Sequence, residues 1–127
     1  DLSYLFISHD LGVIRYVCDR VALMYLGRIV ELAAVAKIFD EPQHPYAMAL
    51  LSAMPEADPD HQAQEIILEG EIGSPINLGK GCRFAPRCPL QFERCWGEEP
   101  PLQNTGGHHW VACHLHPGAP ISQAASA

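Results

Sequence analysis

Arg20-Val21-Ala22-Leu23-Met24-Tyr25-Leu26-Gly27-Arg28-Ile29-Val30-Glu31-Leu32 is two apolar runs broken by a glycine. Val, Ile and Tyr enrichment on both sides of such a break predicts two strands and a tight turn, a β-hairpin turning at Gly27-Arg28. Before it, Ser3-Tyr4-Leu5-Phe6-Ile7-Ser8 is a short apolar and aromatic run that predicts a buried strand. His9 and Asp10 follow directly. Asp10 can cap a helix whose inward positions are Leu11, Ile14, Val17 and Cys18, with Arg15 and Asp19 on the other side.

After the hairpin, residues 34–40 predict a short helix with Val35, Ile38 and Phe39 on one side, ended by Pro42. Pro45 suits the first turn of a further helix in which Tyr46, Ala47, Leu50, Leu51 and Met54 keep helical spacing as a core stripe. From Ile38 to Gly79 there are eight acidic residues and no Lys or Arg. Glu56 to Gln64 reads as an exposed linker; the acidic stretch lacks the spacing of a calcium loop. Glu65 to Ile72 predicts a strand, and Ala119 to Ala127 a disordered tail.

The totals bound the function. The chain has 127 residues, 48% of them hydrophobic, and a formal charge of −7. A basic face for nucleic acid is not expected from that balance. No apolar run approaches the roughly 20 residues of a membrane span. No signal peptide opens the chain, which starts without Met at Asp1-Leu2-Ser3; the expectation is a piece of a longer protein.

Cys82, Cys88, Cys95 and Cys113 follow the spacing C-x5-C-x6-C-x17-C in a proline-rich segment. Four thiols can enclose one tetrahedral ion or one cluster, and a segment this poor in apolar residues needs such a staple. None of the pairs is a tight CxxC knuckle, which leaves room for a centre bulkier than zinc. Without an export signal, metal ligation is favoured over disulfides. Arg83, Arg87 and Arg94 lie beside three of the cysteines and would offset the charge of a thiolate centre. Cys18 reads as a small buried hydrophobe. His108, His109, His114 and His116 surround Cys113 and are read as a solvated loop, since four thiols already complete a tetrahedron. Phe84, Trp96 and Trp110 are read as a roof over the site.

Taken in order, Ile7-Ser8-His9-Asp10, Asp19-Arg20-Val21 and Tyr25-Leu26-Gly27-Arg28-Ile29-Val30-Glu31 resemble the end of an ABC-transporter nucleotide-binding subunit. Pro42-Gln43-His44-Pro45-Tyr46, Ala49-Leu50-Leu51, Gly70-Glu71-Ile72, Ser74-Pro75-Ile76 and Cys82-Arg83-Phe84 with Pro86-Arg87-Cys88-Pro89 resemble the C-terminal extension of dipeptide and oligopeptide importer ATPases, parts of which nickel importers share. The resemblance implies an α/β fold: the C-terminal piece of an ABC-type P-loop NTPase core, followed by a small loop-rich, cysteine-containing extension. It divides the chain into the end of the core (1–40, completing a parallel sheet), a helix and linker (41–64), the cysteine extension (65–118) and a tail (119–127).

It also implies function. His9 would be the switch-loop histidine that contacts the terminal phosphate, the one catalytic element present. The phosphate-binding Gly-rich loop with its Lys, the signature sequence and the magnesium-binding Asp-Glu pair are absent from these residues; the family's order puts them before Asp1. The parent would use ATP and Mg²⁺, and these residues alone would be inactive. Cys82, Cys88, Cys95 and Cys113 would hold a [4Fe-4S] cluster, with zinc as the second choice. Implied partners are a second ATP-binding subunit, membrane permease subunits and a peptide-binding protein, at the cytoplasmic face of the membrane. The isolated piece would self-associate through its first strand. The other function class open to the residues is a stand-alone metal or iron–sulfur module without ATPase activity.

Overall fold

Val21, Leu23 and Tyr25 are buried while Arg20, Ala22 and Met24 face out, the two-residue period of a strand with one wet side. The computed structural model describes residues 4–54, 66–68, 79–116 and 119–120. In it, β1 (Arg20–Tyr25) pairs antiparallel with β2 (Arg28–Ala34), from Arg20↔Ala34 to Tyr25↔Arg28. The predicted hairpin is present, but its turn is Leu26-Gly27, one residue earlier than expected. Both turn residues are left-handed, with φ of 48° and 81°. That is the turn whose twist matches a hairpin, and Gly27 adopts it freely. Leu26 adopts it at a cost of about 1–2 kcal/mol. Its carbonyl accepts a hydrogen bond from the Arg83 guanidinium, which helps hold the conformation.

A register shift sets Leu23 opposite Glu31 and Met24 opposite Ile29, so Val30 is the extra residue of a bulge. Beyond the bulge Glu31 lies on the buried side with Ala33.

Asp10 caps α1 (Leu11–Val17), its carboxylate accepting from Gly12 N–H and Val13 N–H. Ile14 is buried, and Leu11 and Cys18 pack against the same core. Val17 does not join them and is 63% exposed. Leu11, Ile14 and Cys18 fill the i, i+3, i+7 stripe of this short helix, and Val17 stands to one side. Next, α2 (Val35–Asp40) starts where Val35 N–H reaches Asp19 O at 2.9 Å, and it seats Ile38 in the core. Then α3 (Pro45–Ser52) begins with Pro45 at its first position, as expected. Tyr46, Leu50 and Leu51 pack on the core, while Ala47 is fully buried.

The C-terminal third contributes a 3₁₀ turn (Ala85–Arg87), α4 (Glu93–Gly97), β3 (Gln103–Gly106), β4 (His109–Val111) and β5 (Ala119–Pro120). The five strands form one sheet in the order β1-β2-β4-β3-β5, and every pairing is antiparallel. β2 joins β4 through Glu31↔Val111 and Leu32↔Trp110, so the sheet unites the hairpin with the end of the chain. Phe84 inserts from the cysteine segment into the core beside Tyr25 and Tyr46, with ring centroids 5.1 and 5.4 Å away.

Three sequence expectations are corrected. Tyr4, Leu5 and Ile7 belong to no strand and are 85%, 91% and 88% exposed, because no described strand runs beside them. Ile66–Leu68 are not a strand either; Ile66 N–H instead donates to Ser52 Oγ. Ala119 and Pro120, expected in a disordered tail, pair with Asn104 and Gln103. The linker 56–64, the remainder of the 65–72 strand and residues 121–127 lie outside the described residues. Among the described residues no helix is long and apolar enough to cross a membrane.

One polar cluster sits inside this core. Glu31 is 0% exposed. Its carboxylate accepts from Gln43 N–H at 3.1 and 3.2 Å and from His44 N–H at 2.7 Å, and lies 2.5 Å from His109 Nε2. The Gln43 side-chain amide reaches His109 Nδ1 at 3.5 Å, which leaves the His109 proton on Nε2, facing Glu31. Removing one partner from such a buried pair strands the others unpaired. We expect Glu31→Ala to lose about 3–5 kcal/mol of stability in urea titration. His109→Phe, which fills the same space, should lose clearly less than Glu31→Ala; equal losses would mean that the two backbone amides do not depend on the carboxylate.

Candidate functional site

The four cysteines of the C-terminal third meet. Cys82, Cys88, Cys95 and Cys113 line one pocket together with His44, Pro45, Phe84 and His114. Its free space is about that of a single water. Cys18 is not among its residues; it packs, partly buried, against the core from the end of α1.

Local hydrogen bonds place each thiol. Cys82 N–H donates to Cys95 O at 2.7 Å and brings the first and third cysteines side by side. This approach requires Gly81: a Cβ there would lie 2.2 Å from Cys95 O and 2.6 Å from Trp96 C. Cys88 closes the 3₁₀ turn, Cys95 is buried within α4, and Cys113 lies just after β4.

Burial pushes the Cys82, Cys88 and Cys113 thiols above their ordinary value, Cys113 to about 11. Backbone amides two residues on, at Phe84, Leu90 and Leu115, oppose this by facing the three sulfurs, and Ala85 adds a second amide at Cys82. The neighbouring sulfurs then push the thiols up again. Thiols that raise one another in this way do so because each would carry its charge close to the others; a bound cation reverses that balance.

His44 forms part of the wall. It caps α3 with Nδ1, which accepts from Tyr46 N–H at 3.0 Å, and its ring lies 5.6 Å from that of Phe84. Burial lowers its pKa to about 4; His116 lowers it further and the Ala112 carbonyl opposes them. Its Nε2 is buried and faces the Ala112 carbonyl without well-formed hydrogen-bond geometry, and Arg87 Nε, next to Cys88 in sequence, is buried without a hydrogen-bond partner.

The other candidates sort as follows. His9 is exposed in the bend before α1, outside the cysteine pocket, and Asp10 rather than His9 caps the helix. Of the four late histidines, His109 is not solvated but buried against Glu31, because β4 carries it into the core. His114 lines the pocket, with Nε2 2.7 Å from Glu98 O. Phe84 covers the thiols, but Trp96 is 52% exposed and Trp110 sits under Arg20, so neither roofs the site. Arg83 is engaged with Leu26 and Glu99, and Arg94 with Glu98, which leaves Arg87 as the arginine with an unpaired buried nitrogen at the site. His44 had no signal of its own in the sequence, since helix caps are usually Ser, Thr, Asp or Asn.

Four backbone amides facing three of the sulfurs suit an anionic, sulfur-ligated group. Among the described residues, however, no group of three or more His, Cys, Asp or Glu side chains is arranged to hold a metal ion. The four cysteines thus share a pocket without forming a metal-holding geometry.

A family described as the C-terminal region of oligopeptide/dipeptide transporters matches residues 30–95. A Brucella ovis protein assigned as a peptide import ATP-binding protein is 48% identical over 112 residues, which cover 88% of this chain and 35% of that protein. A dipeptide transport ATP-binding protein of Haemophilus influenzae is 47% identical over 112 residues (88% and 34%). An oligopeptide transport ATP-binding protein of Bacillus subtilis is 44% identical over 118 residues (91% and 36%). The chain thus spans about a third of the length of these relatives.

The close approach at Gly81 yields a prediction. Gly81→Ala should part the loop holding Cys82 from the α4 segment holding Cys95 and cost about 1–3 kcal/mol. Labelling of reduced protein by a maleimide, read by mass spectrometry, should show Cys95 reacting faster in the variant while Cys18 keeps its rate.

Proposed function

Because the chain belongs to the oligopeptide/dipeptide transporter C-terminal region family, we propose that it ends the ATP-binding subunit of an ABC importer for di- or oligopeptides. The observation that carries this reading is that one family match runs through β2, the Pro42–Tyr46 entry to α3 and three of the four cysteines, in that order. The names of the relatives supply peptide import as the activity. In this reading the subunit binds ATP and Mg²⁺ through residues of the parent that precede these. It pairs with a second ATP-binding subunit and drives two permease subunits fed by a peptide-binding protein, from the cytoplasmic face of the membrane.

His9 has one task here. At the mouth of α1 its imidazole is exposed and free of the cap, so it can reach toward a terminal phosphate and orient the attacking water. Cys82, Cys88, Cys95 and Cys113 hold a metal centre, [4Fe-4S] in preference to zinc given their wide spacing. Such a centre would cross-link the 3₁₀ turn, α4 and the end of β4, a staple for a segment with little apolar surface of its own.

In the full-length subunit, His9→Ala should lower ATP turnover at least tenfold while changing nucleotide affinity by less than about threefold, since the side chain acts on the transition state. Equal losses in both would assign His9 a structural role. The 127 residues alone should show no ATP hydrolysis. Anaerobically purified subunit should contain iron and acid-labile sulfide in equal amounts. A colourless protein with one zinc would select the second centre, and Cys-to-Ser variants that keep the iron would remove the four cysteines from it.

A further inference from the structure

We propose that Cys82 and Cys95 form a redox pair, closing a reversible disulfide across their pocket while no metal holds the thiols. The inference draws on the pocket and not on the metal reading above: the same thiols, once ligated, are closed to exchange.

The backbone brings these two cysteines together. Cys82 N–H donates to Cys95 O at 2.7 Å, and Gly81 lies so close that a Cβ there would stand 2.2 Å from the same oxygen. A backbone bond of this kind sets two Cα atoms roughly 5–6 Å apart, inside the span that a disulfide bridges. Both side chains line one small, largely apolar pocket, so they face a common space as free thiols. Cys88 and Cys113 also line it, but their backbones bond elsewhere: Cys88 N–H donates to Ala85 O, and Cys113 O accepts from His116 N–H.

Exposure assigns the roles. Cys82 is half-buried, whereas Cys95 is 8% exposed. Exchange begins at the thiol that an oxidant can reach and is completed by the one beside it. The oxidant is a small-molecule disulfide such as oxidised glutathione. The Cys82 thiolate attacks one of its sulfurs and releases the first glutathione. The Cys95 thiolate then attacks Cys82 Sγ, breaks the mixed disulfide and releases the second. Two electrons pass to the oxidant, and the two thiol protons end on the two glutathione thiols.

The bond would clamp α4 to the hairpin. Arg83 and Phe84 follow Cys82 directly; one holds Leu26 O and the other packs against Tyr25. In a reducing compartment such a bond is transient, which suits a sensor of oxidation rather than a permanent staple.

The test uses full-length subunit, reduced, stripped of metal with a chelator, and held in glutathione buffers of rising oxidised fraction. Free thiols are blocked with a maleimide, and non-reduced peptides are read by mass spectrometry. We expect Cys82 joined to Cys95 as the dominant cross-link, with Cys18, Cys88 and Cys113 blocked. Cys95→Ser should stop at a glutathione adduct on Cys82, and Cys113→Ser should leave the cross-link in place. Should Cys95→Ser not fold, the pairing in the wild type and in Cys113→Ser still decides. All five cysteines of this chain blocked across the whole range, or a dominant cross-link through Cys88 or Cys113, would overturn the redox pair. Neither result bears on the metal reading, which the iron and sulfide content of anaerobically purified subunit decides.

Discussion

One carboxylate holds this structure together. Glu31 sits in the middle of β2 with no solvent contact and serves two backbone amides and an imidazole. Those partners belong to the loop before α3 and to β4. A buried carboxylate is tolerable only when hydrogen bonds satisfy its oxygens, so the three segments are obliged to meet where they do. The amides also need the acid: Gln43 and His44 precede a helix, where nothing in the helix itself accepts their N–H groups.

The cysteine pocket inherits its shape from that clamp. Glu31 fixes the backbone of His44, whose ring forms one wall of the pocket. Phe84 belongs to both the pocket and the hydrophobic core, packed among Tyr25, Tyr46 and His44. Arg83, one residue before it, reaches back to the carbonyl of the left-handed Leu26 in the hairpin turn. The thiols are therefore placed on a rigid support, not on an independent loop. Two adjacent side chains, Arg83 and Phe84, thus tie the pocket to the hairpin.

The sequence revealed what short-range physics controls. The hairpin, the Asp10 cap, α2 with Ile38 inward and Pro45 at the start of α3 each follow from period, cap or proline within a few residues. The four cysteines line one pocket, but not in an arrangement that would hold a metal among the described residues. What escaped depends on distant partners or on single-residue offsets. The bulge at Val30 turns Glu31 inward, and nothing in an exposed-looking Val-Glu-Leu run announces it. His109 looked like its three neighbours until β4 found β2. Trp96 and Trp110 resembled a roof because they are near the cysteines in sequence, yet α4 and β4 point them elsewhere. The 4–7 run has the residues of a strand, but a strand needs a neighbour to pair with.

The bond between Glu31 and His109 joins residues 78 positions apart. Closing so long a loop is slow compared with forming a hairpin, whose ends are already adjacent. On a ribosome the hairpin emerges first and waits with an acidic group on the side that will later be dry. Until β4 arrives, water solvates that group and keeps β2's open edge wet. The same residue that locks the finished sheet thus guards the nascent one against premature pairing with a wrong strand.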